Sequence, residues 1–240
     1  MALDFDGVNQ DVDPGNAAGL DGQFPMTIAL WMNHDEAATD YLVMRGREGT
    51  SGWNVYIASG GELHFVKAGV RDDPSVGLAF PTGVWVFAAV SLAASNDMRF
   101  VKITAAGVVS SSTVTVNANF TGTPTESCIA IGRTSAGAKT SSPYNGKLAH
   151  VVKLNAALTN NELVTLAFTL RSPAKAFWMP LGVSSPEVDW SGGGASGTRT
   201  NAPAVYANPG HGPLFGYDSE WAGAFTAAAG GDTLFAQAVY

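Results

Sequence analysis

The chain has 240 residues, 46% of them hydrophobic and only 14% charged, where about 25% charged is usual for a soluble domain. That length suits one large all-β domain or two small ones. The net charge of −7 and the absence of any Lys/Arg cluster exclude nucleic-acid binding through a basic patch, and the single Cys128 excludes an intrachain disulfide.

The first six residues hold no basic region and no long apolar run, so no signal peptide is expected. No window reaches the roughly 18 apolar residues of a membrane helix, and no membrane partner is expected. Leu3, Phe5 and Val8 alternate before a Pro14–Gly15–Asn16 turn. Residues 26–32 form a β-rich run with Ile28, Leu30 and Met32 on one side. Residues 41–44 and 53–57 follow as short strands, the second closing at Gly60–Gly61 and continuing into 62–66 as a hairpin. Residues 84–92 are the longest strand candidate. Residues 98–103, 108–109, 113–116, 128–131 and 146–154 complete the set, each bounded by Gly, Pro or Asn. Strands at this spacing predict a sandwich or a barrel.

One short helix is predicted over 160–168. Thr159 is its N-cap, Glu162 takes the capping-box position, and Leu163, Leu166 and Ala167 form the apolar stripe. Pro173 stops it. Beyond that point Pro and Gly become frequent while aromatics persist. A free linker would hold few aromatics. Residues 173–240 are therefore expected as an extended C-terminal arm that packs on the sandwich or on neighbouring subunits. Tyr206, Phe215, Tyr217, Trp221, Phe225, Phe235 and Tyr240 are its candidate partner-binding residues.

Several segments together resemble laminin-G-like and pentraxin-like jelly rolls. These are residues 2–9 (Ala-Leu-Asp-Phe-Asp-Gly-Val-Asn), 27–31 (Thr-Ile-Ala-Leu-Trp), 83–90 around Gly83 and Trp85, and 145–162 from Asn145 to Glu162. The resemblance covers residues 1–172. It implies an all-β fold: a two-sheet antiparallel jelly-roll sandwich of the concanavalin A-like type. Residues 188–198 and 208–216 resemble the end of laminin-G-like proteins of tailed bacteriophages. Many relatives hold a structural calcium beside the last strand. Here Asn145 takes the acidic position, and Asp4, Asp6 and Asp11 are the other calcium candidates. Turn capping by these residues is the favoured reading, because a neutral Asn lowers the ligand charge that calcium needs. No cofactor is expected, with calcium as the one candidate.

Nothing in the sequence supports catalysis. The glutamates are scattered, so no strand carries the paired carboxylates of a glycoside hydrolase. No His pair has metal-ligand spacing. Cys128 lies in an apolar strand and reads as an inert thiol. Trp31 and Trp85 read as core, and Trp53 and Tyr56 are candidates for stacking on sugar rings. The favoured expectation is a non-enzymatic virion protein, a capsid decoration or cement protein. It would be made in the host cytoplasm, displayed on the virion surface, and bound to the major capsid protein through its arm. A homo-oligomer, by analogy a trimer, is expected. The alternative is a receptor-recognition domain of a tail fibre or spike that binds a host glycan. A glycoside hydrolase is the weakest reading.

Overall fold

The computed structural model describes residues 1–95, 97–115, 119–169 and 175–206. In chain order the strands begin with β1 (Ala2–Asp6), β2 (Asp11–Asp13), β3 (Met26–His34), β4 (Asp40–Arg47), β5 (Ser51–Ile57) and β6 (Glu62–Lys67). They continue with β7 (Arg71–Ala79), β8 (Val86–Ala94), β9 (Asp97–Thr104), β10 (Val109–Val114), β11 (Ser127–Ile129) and β12 (Gly132–Arg133). The last are β13 (Lys139–Ser141), β14 (Asn145–Leu154), β15 (Lys175–Met179), β16 (Glu187–Val188), β17 (Ser196–Thr200) and β18 (Ala204–Tyr206). One α-helix, α1 (Asn160–Thr169), precedes β15.

Two large antiparallel sheets form the expected sandwich. The first runs β10-β9-β8-β3-β14-β1-β18, with β15 also paired to β14. The second runs β16-β17-β2-β11-β4-β5-β6-β7. Between them lies the main core, including Phe5, Ile28, Leu30, Trp53, Phe65, Val90, Phe100, Tyr144 and Phe177.

The sheets differ in what their outer faces meet. In the first, β3 is buried at nearly every position, because sheet two covers one side and α1 the other. Its outward residues Ala29 and Trp31 join Phe87, Val101, Val152, Leu163 and Leu166 in a second core. Trp31 Nε1 donates to the Ala167 carbonyl at 3.0 Å and ties sheet to helix. The helix starts on the predicted capping box. The Thr159 amide donates to Glu162 Oε2 at 2.7 Å, and the Glu162 amide donates back to Thr159 Oγ1 at 3.3 Å. In the second sheet, β6 alternates buried and half-buried, as a strand with one wet face should.

Residues 175–206 do not trail from the sandwich. β15 pairs with β14, β17 with β2, and β18 with β1. The segment read as the start of an arm therefore supplies strands to both sheets. Gly197 is packed tightly: a Cβ there would lie 2.5 Å from Val12 Cγ1. Glycine lets β17 approach the β2 side chains. Of the expected partner-binding aromatics only Tyr206 falls among the described residues. It is exposed on the edge strand β18, with Lys147 Nζ 5.3 Å from its ring centre. Phe215, Tyr217, Trp221, Phe225, Phe235 and Tyr240 lie outside them.

Candidate functional site

Among the described residues no helix covers the outer face of sheet two. Of these residues the small β12–β13 hairpin and the loop 119–126 overlie it, the hairpin against Tyr41, Met44, Cys128 and Ile131. This face is built from polar side chains in three groups.

The first group lines a cavity of about 250 Å³ formed by Gly46, Arg47, Thr50, Ser51, Thr123, Thr125, Glu126 and Ser135. Its floor depends on paired glycines. Gly46 and Gly52 lie opposite one another on β4 and β5 with φ of +104° and +80°. A Cβ on either would lie about 2 Å from a backbone oxygen of the partner strand, and just over 3 Å from Pro124 Cβ. Without side chains there, the loop 119–126 lies directly on the sheet backbone. The Gly52 amide donates to Thr121 O at 3.1 Å and the Gly46 amide to Glu126 O at 2.8 Å. That seating presents Thr123, Thr125 and Glu126 to the cavity. Arg47 Nε donates to Glu126 Oε2 at 3.2 Å and its Nη2 to Oε1, a bidentate pair. The hydrogen bond from Arg47, with the Arg47 and Arg133 charges, holds the Glu126 carboxyl below its ordinary range.

The second group is Tyr41, Tyr56, His64 and Asp72. Tyr56 and His64 stack with ring centres 4.5 Å apart. Tyr56 Oη donates to Asp72 Oδ2 at 2.6 Å, and His64 Nδ1 lies 2.8 Å from Asp72 Oδ1. Burial would raise the Asp72 pKa, but the hydrogen bonds from His64 and Tyr56 outweigh it and hold it low. Burial raises the Tyr41 and Tyr56 phenols, and the hydrogen bonds to Glu48 and Asp72 raise them further. Both therefore stay protonated donors.

The third group joins the hairpin to the sheet. Arg133 Nη2 donates to Asp13 at 2.9 Å, and Lys139 Nζ reaches both Asp11 and Asp13 at 2.7 Å. Burial raises Asp13, but Lys139, the Gly15 amide and Arg133 bring it below its ordinary value.

The residues expected from the sequence fall as follows. Trp53 cannot stack on a sugar: it is fully buried in the main core against Phe65, and Nε1 donates to Leu20 O at 2.9 Å. Strand alternation explains this. Trp53, Val55 and Ile57 point inward, so Tyr56, three positions from Trp53, points outward. Tyr56 is half-buried on the open face, with its hydroxyl committed to Asp72. The calcium candidates are divided between the sheets. Asp11 is 1% exposed and bound to Lys139 on sheet two. Asp4 and Asp6 stand on β1, with Asn145 paired to Asp6. Asp6 Oδ1 accepts the Val8 amide at 2.9 Å, a turn-capping contact, and Lys147 sits 3.5 Å from Asp4 and 3.1 Å from Asp35. Among the described residues no group of three or more His, Cys, Asp or Glu side chains is arranged to hold a metal ion. Cys128 is buried, its Sγ donating to Ile131 O at 2.9 Å, and burial pushes its pKa up to about 12, far from a reactive thiolate.

A glycosidic general acid needs a carboxyl raised toward neutrality. The carboxylates here whose pKa moves, Asp13, Asp72 and Glu126, all move down. The sequence reading missed Arg47, Glu126 and the hydroxyls around them, because the loop that unites them follows β10 by sequence and meets β4–β5 only through the glycine pair.

A laminin-G-type family profile, described as the concanavalin A-like lectin/glucanases superfamily, matches residues 6–164. No curated protein matches the chain. Among solved structures, the chain resembles a candidate carbohydrate binding protein from Bacteroides ovatus, at 16% identity and a TM-score of 0.55. The match covers 86% of this chain and 63% of that one, so the chain spans under two thirds of its length. A heptameric SAP-like pentraxin from Limulus polyphemus matches at 14% identity and a TM-score of 0.48, covering 70% of this chain and 82% of that one. The CBM40 domain of a Ruminococcus gnavus sialidase, solved with α2,3-sialyllactose, matches at 13% identity and a TM-score of 0.48 over 69% and 97% of the two chains.

Proposed function

Because the chain belongs to the concanavalin A-like lectin/glucanases superfamily, we propose that it is a non-catalytic carbohydrate-binding protein whose ligand sits in the Arg47–Glu126 cavity. The observation that carries this reading is the lining. Thr50, Ser51, Thr123, Thr125 and Ser135 bring hydroxyls, and Arg47 and Glu126 bring a paired donor and acceptor. A sugar presents vicinal hydroxyls that both donate and accept, and this wall matches them. The Arg47 charge is already balanced by Glu126, which favours a neutral sugar. At about 250 Å³ the cavity falls below the roughly 300–1,000 Å³ of drug-sized sites, which suits a single pyranose residue at the end of a longer glycan. The description of the Bacteroides ovatus protein as carbohydrate-binding agrees with this reading. No metal is needed for it.

The test is a glycan array followed by calorimetry on Arg47→Ala. Micromolar binding of a neutral glycan, weakened at least tenfold by the substitution with an unchanged unfolding midpoint, supports the assignment. Absence of any glycan ligand, or equal binding by the variant, overturns it.

A second reading is that of a decoration protein on a phage capsid, exposed on the virion surface and bound to the major capsid protein. Its support is the resemblance of residues 188–198 and 208–216 to phage proteins, together with the exposure of Tyr206 on edge strand β18, where residues 207–240 begin. Truncation after Tyr206 keeps every described strand. Loss of capsid incorporation by that form supports this reading, and normal incorporation removes it.

A further inference from the structure

On the opposite side of the sandwich from the cavity, β15 and the loop after β16 hold three side chains that the proposed site does not use. We propose that Lys175, Trp178 and Trp190 form a second sugar-binding site, specific for a pyranose that carries a carboxylate. It is independent of the Arg47–Glu126 cavity.

The loop that carries Trp190 is built to hold it. The Trp190 amide donates to Trp178 O at 2.7 Å. Asp189, only 5% exposed, accepts the Trp178 and Ser191 amides on one oxygen, each at 2.9 Å. Ser191 Oγ donates to Ala176 O at 3.3 Å and accepts the Gly193 amide at 3.3 Å. A Cβ on Gly193 would fall 2.7 Å from Asp189 Oδ2, so glycine is required for the loop to close over the carboxylate. These bonds fix the turn without any partner. A rigid turn leaves little ordering entropy to oppose binding.

What the turn displays is an indole. Trp190 is 39% exposed and meets Trp178 edge-on, with ring centres 5.5 Å apart. A large aromatic side chain ordinarily gains by burial, whereas here a pre-set loop keeps it in solvent. The electron-rich face of an indole attracts the slightly positive C–H groups on one side of a pyranose ring, and that side stacks on it.

Lys175 supplies the charge preference. Its Nζ sits 4.6 Å from the centre of the Trp178 ring. It is half-buried, and burial alone pulls its pKa down, with no compensating anion. Among the described residues no carboxylate lies within ion-pair distance of it, in contrast to Lys139 and Lys147. A partly desolvated ammonium beside an aromatic face is incomplete without a counter-ion. A carboxylate on a sugar stacked against Trp190 would be that counter-ion. The stacked ring would give affinity and the ion pair would give selectivity.

The experiment titrates the full chain, by tryptophan fluorescence, with oligosaccharides ending in glucuronate, galacturonate or a nonulosonic acid. Each is run beside its carboxyl-reduced neutral counterpart. At least one acidic ligand should bind ten times or more tightly than its reduced form, and the preference should shrink as salt rises. Lys175→Gln, at a half-exposed position, should remove that preference and leave binding of the reduced form unchanged. Trp190→Ala should weaken binding of both forms at this site. No acidic preference in any pair, or a preference that survives Lys175→Gln, overturns the proposal. Loss of the acidic preference in Arg47→Ala alone would also overturn it, by placing the site in the cavity.

Discussion

The two sheets of this sandwich are built from similar strands, yet their outer faces have opposite chemistry. Sheet one turns Ala29, Trp31, Phe87 and Val152 outward and covers them with α1, making a second dry core. Sheet two turns Tyr56, His64 and Asp72 outward under partial cover, and ties Asp11, Asp13, Lys139 and Arg133 into ion pairs. The first face stabilises the fold, and the proposed ligand site lies on the second. Substitutions should therefore separate into those that cost stability and those that cost recognition.

The largest effect is expected at Trp31. Truncation to Ala removes a fully buried indole and its bond to Ala167 O, costing about 3–5 kcal/mol. Urea unfolding measures it, and a cost near that of a surface substitution would break the contrast between the faces.

At the helix start, Thr159→Ala should cost about 1 kcal/mol, because it deletes the cap of α1. The same unfolding assay reads it, and sugar binding should not change.

Acid should act on the second face. Asp13 and Asp72 have pKa values lowered from the ordinary 3.8. The stability they contribute is present above pH 3.8 and is lost as the pH falls through their lower native values. A pH series of unfolding midpoints should show that loss, and Asp13→Asn should flatten part of it. An unchanged acid limb in that variant would mean that the ion pairs around the hairpin contribute nothing net, as many exposed pairs do.

The smallest effect is expected from chelation. Lys139 occupies Asp11, and Lys147 stands between Asp4 and Asp35. EDTA should leave both the unfolding midpoint and sugar binding unchanged, and a fall in either would restore a calcium site.

Much of the fold was legible in the sequence. Residues 26–32 read as a strand with Ile28, Leu30 and Met32 on one side, and the structure buries the other side as well because α1 covers it. Thr159 and Glu162 marked the helix start because a capping box is local. The site was less legible. Pairing Trp53 with Tyr56 as sugar-stacking residues ignored strand alternation, which sends positions three apart to opposite faces. The role of Arg47 and Glu126 depends on a loop far along the chain seating on Gly46 and Gly52, a contact that no local pattern encodes. Residues 175–206 read as an arm because Pro and Gly suggest irregular chain. Gly197 and Gly193 serve instead to let backbone pack closely.

A neutral glycan is expected in the sheet-two cavity and not on the helix-covered face. Backbone amide chemical-shift mapping during titration with a neutral glycan identified on the array tests it most directly. Shifts should concentrate at residues 46–51, 121–126 and 133–135, around the lining residues, with α1 and β14 unmoved. Shifts centred on α1 and β14, with the cavity silent, would contradict it.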